Sequence, residues 1–388
     1  MNRALVLSAV LLVACDEHVR RPDSTCPCAL DFSDHPRAAQ YQELVERYVH
    51  RGLPGLVLLV DSDSDGLWIG SGGVASIEDR IEMNGCHVHH GASVAKSYLA
   101  AVTLLLAEQG EIDLDAPIMS YLPRRIYTNI PNGRSATVRQ LMNHKSGIPE
   151  YNDQPAYLVD QFNDPLANVS TEERLAYIYG ADPLASPGAE VHYADTNFML
   201  LALIVDGITG DHAAELRNAL LDPLGLSHTY YHGVDGYPEP ACLTNNYFDK
   251  KGNRHLENIS DVQINATEQV FGADGIIASP EDFARFFTAL IRGEILQPES
   301  LDQMEAFEPT GTDHVDYGLG LSRFQTDSGL WLGHTGSTVG AGCFVFRNEE
   351  RGTTIAGFTN VGLSFPSPTG HEFIPGFWDA LHAILVEQ

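Results

Sequence analysis

The sequence predicts an α+β fold: one antiparallel β-sheet flanked by helices, with an inserted, mainly helical subdomain. Three observations support it. Strand-like runs occur near both ends, at Gly55–Asp61 and Gly66–Gly70 and again near 331–335, 340–347 and 353–359. Helical spacing brackets those strands, with Tyr41, Leu44, Val45, Tyr48 and Val49 before them and Phe377, Leu381, Ile384 and Leu385 after them. Between about residues 86 and 260 the pattern is mainly helical, and no Ser/Gly/Pro-rich linker divides the interior. A single domain over residues 37–388 is therefore expected.

Taken in order, Met1-Asn2-Arg3 is a short basic start and Ala4 to Val13 is apolar but too short to span a bilayer. Leu12-Val-Ala-Cys15 closes the stretch, which resembles a bacterial lipoprotein signal (1–15) whose Cys15 becomes the lipid-bearing residue. A cleaved secretory signal with a chance cysteine is the alternative. The first reading makes the mature chain a membrane-anchored lipoprotein facing the periplasm or cell exterior, and both place it outside the cytoplasm. Residues 16–36, rich in Pro, Asp, Ser and Cys without periodicity, are expected to be a tether.

Asp61-Ser-Asp63-Ser-Asp65-Gly66 matches the first half of a calcium loop, but position twelve is Gly72 where a bidentate glutamate is needed, so a turn between strands is expected. Cys86-His87-Val88-His89-His90 offers zinc-type donors, yet reads more simply as a polar strand edge, and no metal site is expected. Ser93 to Gly110 reads as one helix, with Val94, Tyr98, Val102 and Leu105 at helical spacing. Thr137-x-x-Gln140 and Ser279-Pro280-x-Asp282 look like capped helix starts. Pro187 to Asn197 predicts a turn and a short extended piece before a helix from Phe198 to Gly207.

The formal net charge of −29, from 23 Lys and Arg against 52 Asp and Glu, argues against a nucleic-acid partner, since phosphate binding needs clustered cations. Apart from Cys15, the cysteines are Cys26, Cys28, Cys86, Cys242 and Cys343. An odd count leaves at least one unpaired within a monomer, and spacing alone does not assign the pairs.

Chemistry concentrates at Ser93-Val-Ala-Lys96. Residues three apart on a helix share a face, so a lysine amine lies beside a hydroxyl that needs a base before it becomes a nucleophile. The helix start also supplies free N–H groups and a positive dipole end that favour an oxyanion. Downstream come Tyr193-Ala-Asp195 and Gly333-His334-Thr335-Gly336, the latter between apolar Leu330-Trp331-Leu332 and strand-like Gly342–Phe346.

In this order the motifs resemble the Ser-x-x-Lys, Tyr-x-Asn and Lys/His-Thr-Gly set of the serine β-lactamase and penicillin-binding protein superfamily. The resemblance is closest to the branch of class C β-lactamases, D-Ala-D-Ala carboxypeptidases, D-aminopeptidases and related esterases. Leu141-Met-Asn-His144-Lys-Ser146-Gly147-Ile-Pro149, Asp222–Leu226, Gly272–Asp282 and Tyr317-Gly-Leu-Gly320 match further landmarks of that family.

The resemblance implies a β-lactamase/transpeptidase-like fold and a cofactor-free serine hydrolase working through an acyl-enzyme. Ser93 would be the nucleophile, with Lys96 and Tyr193 managing its proton. Backbone N–H groups of Ser93 and Ser337 would form the oxyanion hole, and Asp195, His334, Thr335 and Gly336 would line the substrate site.

Asp195 departs from the family's asparagine. A carboxylate facing Lys96 would keep it charged, making Tyr193 the expected base, with its phenol lowered by Lys96. Tyr151-Asn-Asp153 is a rival second motif, disfavoured by its closeness to Ser146-Gly147. A small-molecule or peptidoglycan-derived substrate is expected, with a D-Ala-D-Ala carboxypeptidase-like or D-amino-acid peptidase activity leading. A carboxylesterase follows, then a class C-like β-lactamase, with a non-catalytic penicillin-binding sensor as the different-class competitor. Arg323 is a candidate for a substrate carboxylate, against a plain outward-facing surface residue.

Overall fold

Nine antiparallel strands form the main sheet of the computed structural model. From edge to edge they are Ile81–Glu82, Gly66–Ser76, Gly55–Ser62, Thr353–Thr359, Gly342–Asn348, Gly329–Ser337, Ser322–Thr326, Val315–Tyr317 and Glu308–Thr312. The structure describes residues 26–231, 242–312, 314–362 and 370–386, so Cys15 and the expected signal lie outside the described residues. The two chain ends meet at the middle of the sheet, where Leu56 to Ser62 pair with Thr359 to Thr353.

Both faces of these central strands are buried, which explains why their sequences are almost continuously apolar rather than alternating. The two-residue period still sorts the side chains. Leu56, Leu58, Val60, Phe344, Phe346 and Ile355 pack under the terminal helices through Tyr41, Leu44, Tyr48, Phe377 and Leu381. Val57, Leu59, Val345, Ala356 and Phe358 face the larger core built around the helix Ala95–Glu108.

That helix is buried nearly all round, with Ala95, Ala100 and Ala101 among its buried positions. It runs beside the helix Asp195–Thr209, and Tyr98 stacks on Phe286 of the helix Pro280–Ile291 at a ring-centroid distance of 3.6 Å. Ser93 sits in a 3-10 turn, Ala92–Val94, that feeds directly into it. The expected caps at Thr137 and Ser279 both form, Thr137 as a reciprocal capping box with Gln140.

Several details differ from the sequence expectation. Ile81–Glu82, Glu308–Thr312 and Val315–Tyr317 add strands that are too short and too exposed to show a period. The helix expected from Phe198 already begins at Asp195, and no strand precedes it. Asp61–Gly66 is a hairpin turn in which Asp63 pairs with Arg292 and Asp65 with Arg37, so two of its carboxylates already have cationic partners.

Cys26 is bonded to Cys242 and Cys28 to Cys86, leaving Cys343 as the buried free thiol among the described residues. Residues 26–28, in the expected tether, are thereby stitched to the segment that leads into Ser93, and Cys86 is removed from any zinc ligand set. No helix among the described residues is long and apolar enough to cross a membrane.

The Cys28–Cys86 bridge closes a separation of 58 residues, and removing such a crosslink typically costs about 2–5 kcal/mol. The paired variant Cys28→Ser/Cys86→Ser is expected to unfold at lower denaturant concentration than the oxidised parent. An unchanged midpoint would show that the bridge contributes nothing to the fold.

Candidate active site

Lys96 is completely buried, and its Nζ reaches three oxygens: Ser93 Oγ at 2.8 Å, Asp195 Oδ1 at 2.6 Å and the Ala273 carbonyl at 3.0 Å. A lysine ammonium has three hydrogens, so this shell satisfies it fully. Of the three partners only Ser93 also carries a proton to give. The same geometry thus serves two states, an ammonium donating to all three oxygens or an amine accepting from Ser93 while donating to the other two.

The platform is built by the landmark segments. Ser97 Oγ donates to the Gly320 carbonyl at 2.6 Å, and Gly320 N donates to the Met142 carbonyl at 3.0 Å, tying the strand region and the 141–149 segment to the lysine-bearing helix. Ala92, immediately before Ser93, has φ +45°, a left-handed conformation that is strained for a residue with a side chain. Sequence reasoning had no signal for this, because alanine does not advertise a positive φ as glycine does.

The Tyr193 phenol and the Ser93 hydroxyl are near enough to influence each other. Although 48 % of the tyrosine is exposed, loss of hydration around its hydroxyl and the Asp195 carboxylate both push the phenol well above its usual range, which the neighbouring Ser93 hydroxyl only partly offsets. Water at the exposed ring tempers the rise without changing its direction. The expected lowering by Lys96 is therefore corrected: Nζ lies over the ring face, 5.0 Å from its centroid, and Asp195 counters its charge. Tyr151 is buried elsewhere, against Tyr157 and the Arg174 guanidinium.

His144 braces Tyr193 on both sides. Its carbonyl accepts from His192 N at 2.8 Å, its Nδ1 accepts from Ala194 N at 3.2 Å, and its ring lies 4.2 Å from the tyrosine ring. Asn197 Nδ2 also approaches Nδ1 at 3.1 Å, which assigns the proton to Nε2. Burial, with Lys96 adding, holds His144 neutral far below the usual histidine range.

The third motif lies along the strand Gly329–Ser337, whose end packs against the turn that carries Ser93. A Cβ at Gly336 would stand 2.2 Å from the Gly91 carbonyl, so glycine is required for this approach. Thr335 and Ser337 are partly exposed, whereas His334 is buried and engaged at both nitrogens. Nδ1 donates to the Thr335 carbonyl at 2.5 Å, and Nε2 accepts from the Tyr317 hydroxyl at 2.9 Å. In this arrangement neither nitrogen is left for a substrate, and burial lowers the imidazole to about 3. Tyr317 is the partner that motif reading missed; its landmark segment was the available signal.

Around Lys96 the surplus charge is negative. Burial and the Asp195 carboxylate raise Glu150 to about 8, and burial raises Asp274 to about 6 against the opposing Gly275 N–H and Lys96. Glu150 accepts from the Asn152 and Thr196 backbone N–H groups, each at 3.2 Å, which fixes the start of the Asp195 helix.

A carboxyl whose folded value lies above its ordinary 4.5 keeps its proton longer than the unfolded chain does, so stability falls as pH rises from about 4.5 to 8. Asp274 contributes the same sign only up to about pH 6. Between pH 6 and 8, Glu150→Gln is expected to flatten the decline in thermal midpoint. An unaltered slope there would mean that Glu150 does not hold its proton in the folded state.

Comparison with known proteins agrees with this geometry. The Beta-lactamase family model matches residues 41–372. A D-stereospecific amidohydrolase from Streptomyces sp. superposes with a TM-score of 0.75 at 27% identity, covering 88% of this chain and 99% of that one. A D-amino acid amidase from Ochrobactrum anthropi SV3 shares the fold, with a TM-score of 0.76 at 23% identity over 89% and 97% of the two chains. The teichoic acid D-alanine hydrolase of Staphylococcus aureus is 24% identical over 50% of this chain and 43% of its own. The chain spans about half the length of the first curated relatives it matches. With the family model covering most of the sequence and the fold matched throughout, the chain belongs to the β-lactamase family of serine hydrolases.

Proposed function

We propose that this serine hydrolase cleaves amide bonds of D-amino-acid derivatives that present no carboxylate to the cleft, as a D-amino-acid amidase or aminopeptidase. The observation that carries the catalytic part is the contact of Lys96 Nζ with both Ser93 Oγ and Asp195 Oδ1. In this mechanism Lys96 passes a proton to Asp195 and takes the one from Ser93, as Ser93 Oγ bonds to the carbonyl carbon. The carbonyl electron pair moves to an oxyanion held by the N–H groups of Ser93 and Ser337. Tyr193, which keeps its proton at neutral pH, donates to the leaving nitrogen when the C–N bond breaks, and the Lys96–Asp195 pair or solvent restores it. Water then hydrolyses the acyl-enzyme.

The charge pattern supports the substrate class. Arg323, the candidate for a substrate carboxylate, is paired with Asp316 at 2.5 Å, Lys145 is paired with Glu308 at 3.2 Å, and His334 is neutral. At neutral pH Asp195 and Asp274 outnumber the single Lys96 charge, while Glu150 holds its proton, and this balance suits a neutral or ammonium-bearing substrate and disfavours a terminal carboxylate. The amidohydrolase and amidase relatives support the same class. Export as a lipoprotein attached through Cys15 is part of the proposal, and two disulfides support an oxidising compartment.

The test compares D-phenylalanine amide, a peptide ending in D-Ala-D-Ala, a p-nitrophenyl ester and a penicillin, with intact mass after each. The amide is expected to be turned over fastest, and Ser93→Ala to abolish turnover and covalent labelling with little change in thermal midpoint. Preferred cleavage of the carboxylate-ending peptide would refute the substrate class, fast ester turnover alone would identify an esterase, and stable penicillin labelling without turnover a sensor. Retained turnover in Ser93→Ala would refute the nucleophile.

A further inference from the structure

We propose that Asp206, His212 and Tyr231 form a hydrogen-bonded positioning chain that sets the Ala273 carbonyl against Lys96. The inference rests on the reading of Lys96 as the group that moves the Ser93 proton. The three residues belong to no motif of the site. Asp206 is near the end of the helix Asp195–Thr209, His212 opens the short helix His212–Leu216, and Tyr231 closes the strand Thr229–Tyr231.

Each link has a defined direction. Gly272 N donates to Tyr231 Oη at 2.7 Å, and the tyrosine O–H in turn donates to His212 Nε2 at 3.0 Å. His212 Nδ1 then carries the ring proton and donates to Asp206 Oδ1 at 2.7 Å, an oxygen that also accepts from His212 N at 2.8 Å. Asp206, His212 and Asp211 lie close together, but both His212 ring nitrogens and one oxygen of each carboxylate are already engaged, Asp211 Oδ1 by Ala213 N and Ala214 N at the start of the short helix. The cluster is better described as a relay of contacts than as a ligand set.

At its inner end the chain grips a loop with little freedom. Gly272 has φ +83°, and a Cβ there would meet Leu99 Cδ2 and the Phe198 carbonyl, each at 2.7 Å. Gly275 has φ +110°, and a Cβ there would stand 2.8 Å from Tyr231 Cε2. Tyr231 thus fixes the loop twice, by its hydroxyl at Gly272 and by its ring at Gly275. Between these points lies Ala273, whose carbonyl takes one Lys96 hydrogen at 3.0 Å. Moving that carbonyl leaves a buried ammonium short of an acceptor and shifts Nζ relative to Ser93 Oγ.

Tyr231→Phe removes the hydroxyl and keeps the ring. Two measurements test the chain: the rate at which a fluorophosphonate labels Ser93, and amide exchange of the peptide covering residues 270–276. The limiting labelling rate is expected to fall about tenfold, with half-saturation within about twofold, and exchange in that peptide to rise by a similar factor, the order expected when one buried hydrogen bond is lost. His212→Ala is expected to act in the same direction. Asp206→Asn, which keeps an acceptor oxygen, should retain most of the rate that Asp206→Ala loses.

Labelling within twofold of the parent in Tyr231→Phe would overturn the proposal, as would exchange that rises throughout the molecule rather than at 270–276. If the parent itself is not labelled, the catalytic reading fails and the local exchange result still decides whether the chain holds the loop.

Discussion

The structure depends on the cost of burying the Lys96 ammonium. A charge taken fully out of water is tolerated only when each of its hydrogens finds an acceptor and an opposite charge stands close by. Ser93, Asp195 and Ala273 supply those acceptors from three distant parts of the sequence, so folding the chain around one amine also assembles the catalytic cleft. The helix Ala95–Glu108 delivers the amine into the core, and the sheet brings the third motif to the turn that carries Ser93.

The same constraint shapes the electrostatics of the cleft. One lysine faces Asp195, with Glu150 and Asp274 nearby, and burial raises the latter two so that the site holds more protons at neutral pH than three ordinary carboxyls would. On the other side burial, with Lys96 adding, keeps His144 and His334 neutral. The histidines consequently act through geometry: His144 aligns Tyr193, and His334 is locked between Tyr317 and its own neighbour's carbonyl. Asp195, in place of the family asparagine, adds a proton acceptor beside the lysine, and in the proposed mechanism this gives Ser93 a route for its proton even though Tyr193 remains a phenol.

Much of this was legible in the sequence for definite reasons. The central strands announced themselves through apolar continuity, and the terminal helices through spacing at Tyr41, Leu44 and Tyr48 and at Phe377, Leu381 and Leu385. Ser93, Lys96, Tyr193 and Asp195 were readable because their chemistry follows from residue type and order. What was not legible depends on contacts across long separations. The pairing of Cys26 with Cys242, the strain at Ala92 and the engagement of both His334 nitrogens leave no local pattern. The direction of the Tyr193 shift differs from the sequence expectation for a related reason: the family resemblance implies Lys96 beside the tyrosine, but the amine lies over the ring face and the Asp195 carboxylate opposes it.

A double-mutant cycle on stability tests the central dependence on Lys96 and Asp195 most directly. Removing one partner of a buried ion pair typically costs about 3–5 kcal/mol, because the remaining charge is stranded, whereas removing both costs much less. Asp195 is partly open to the cleft, with 26% side-chain exposure, so the lower part of that range applies. Denaturant unfolding of Lys96→Met, Asp195→Asn and the double variant should show the double variant more stable than Lys96→Met alone. Strictly additive losses would contradict the account, because they would mean that the lysine and the aspartate do not depend on each other.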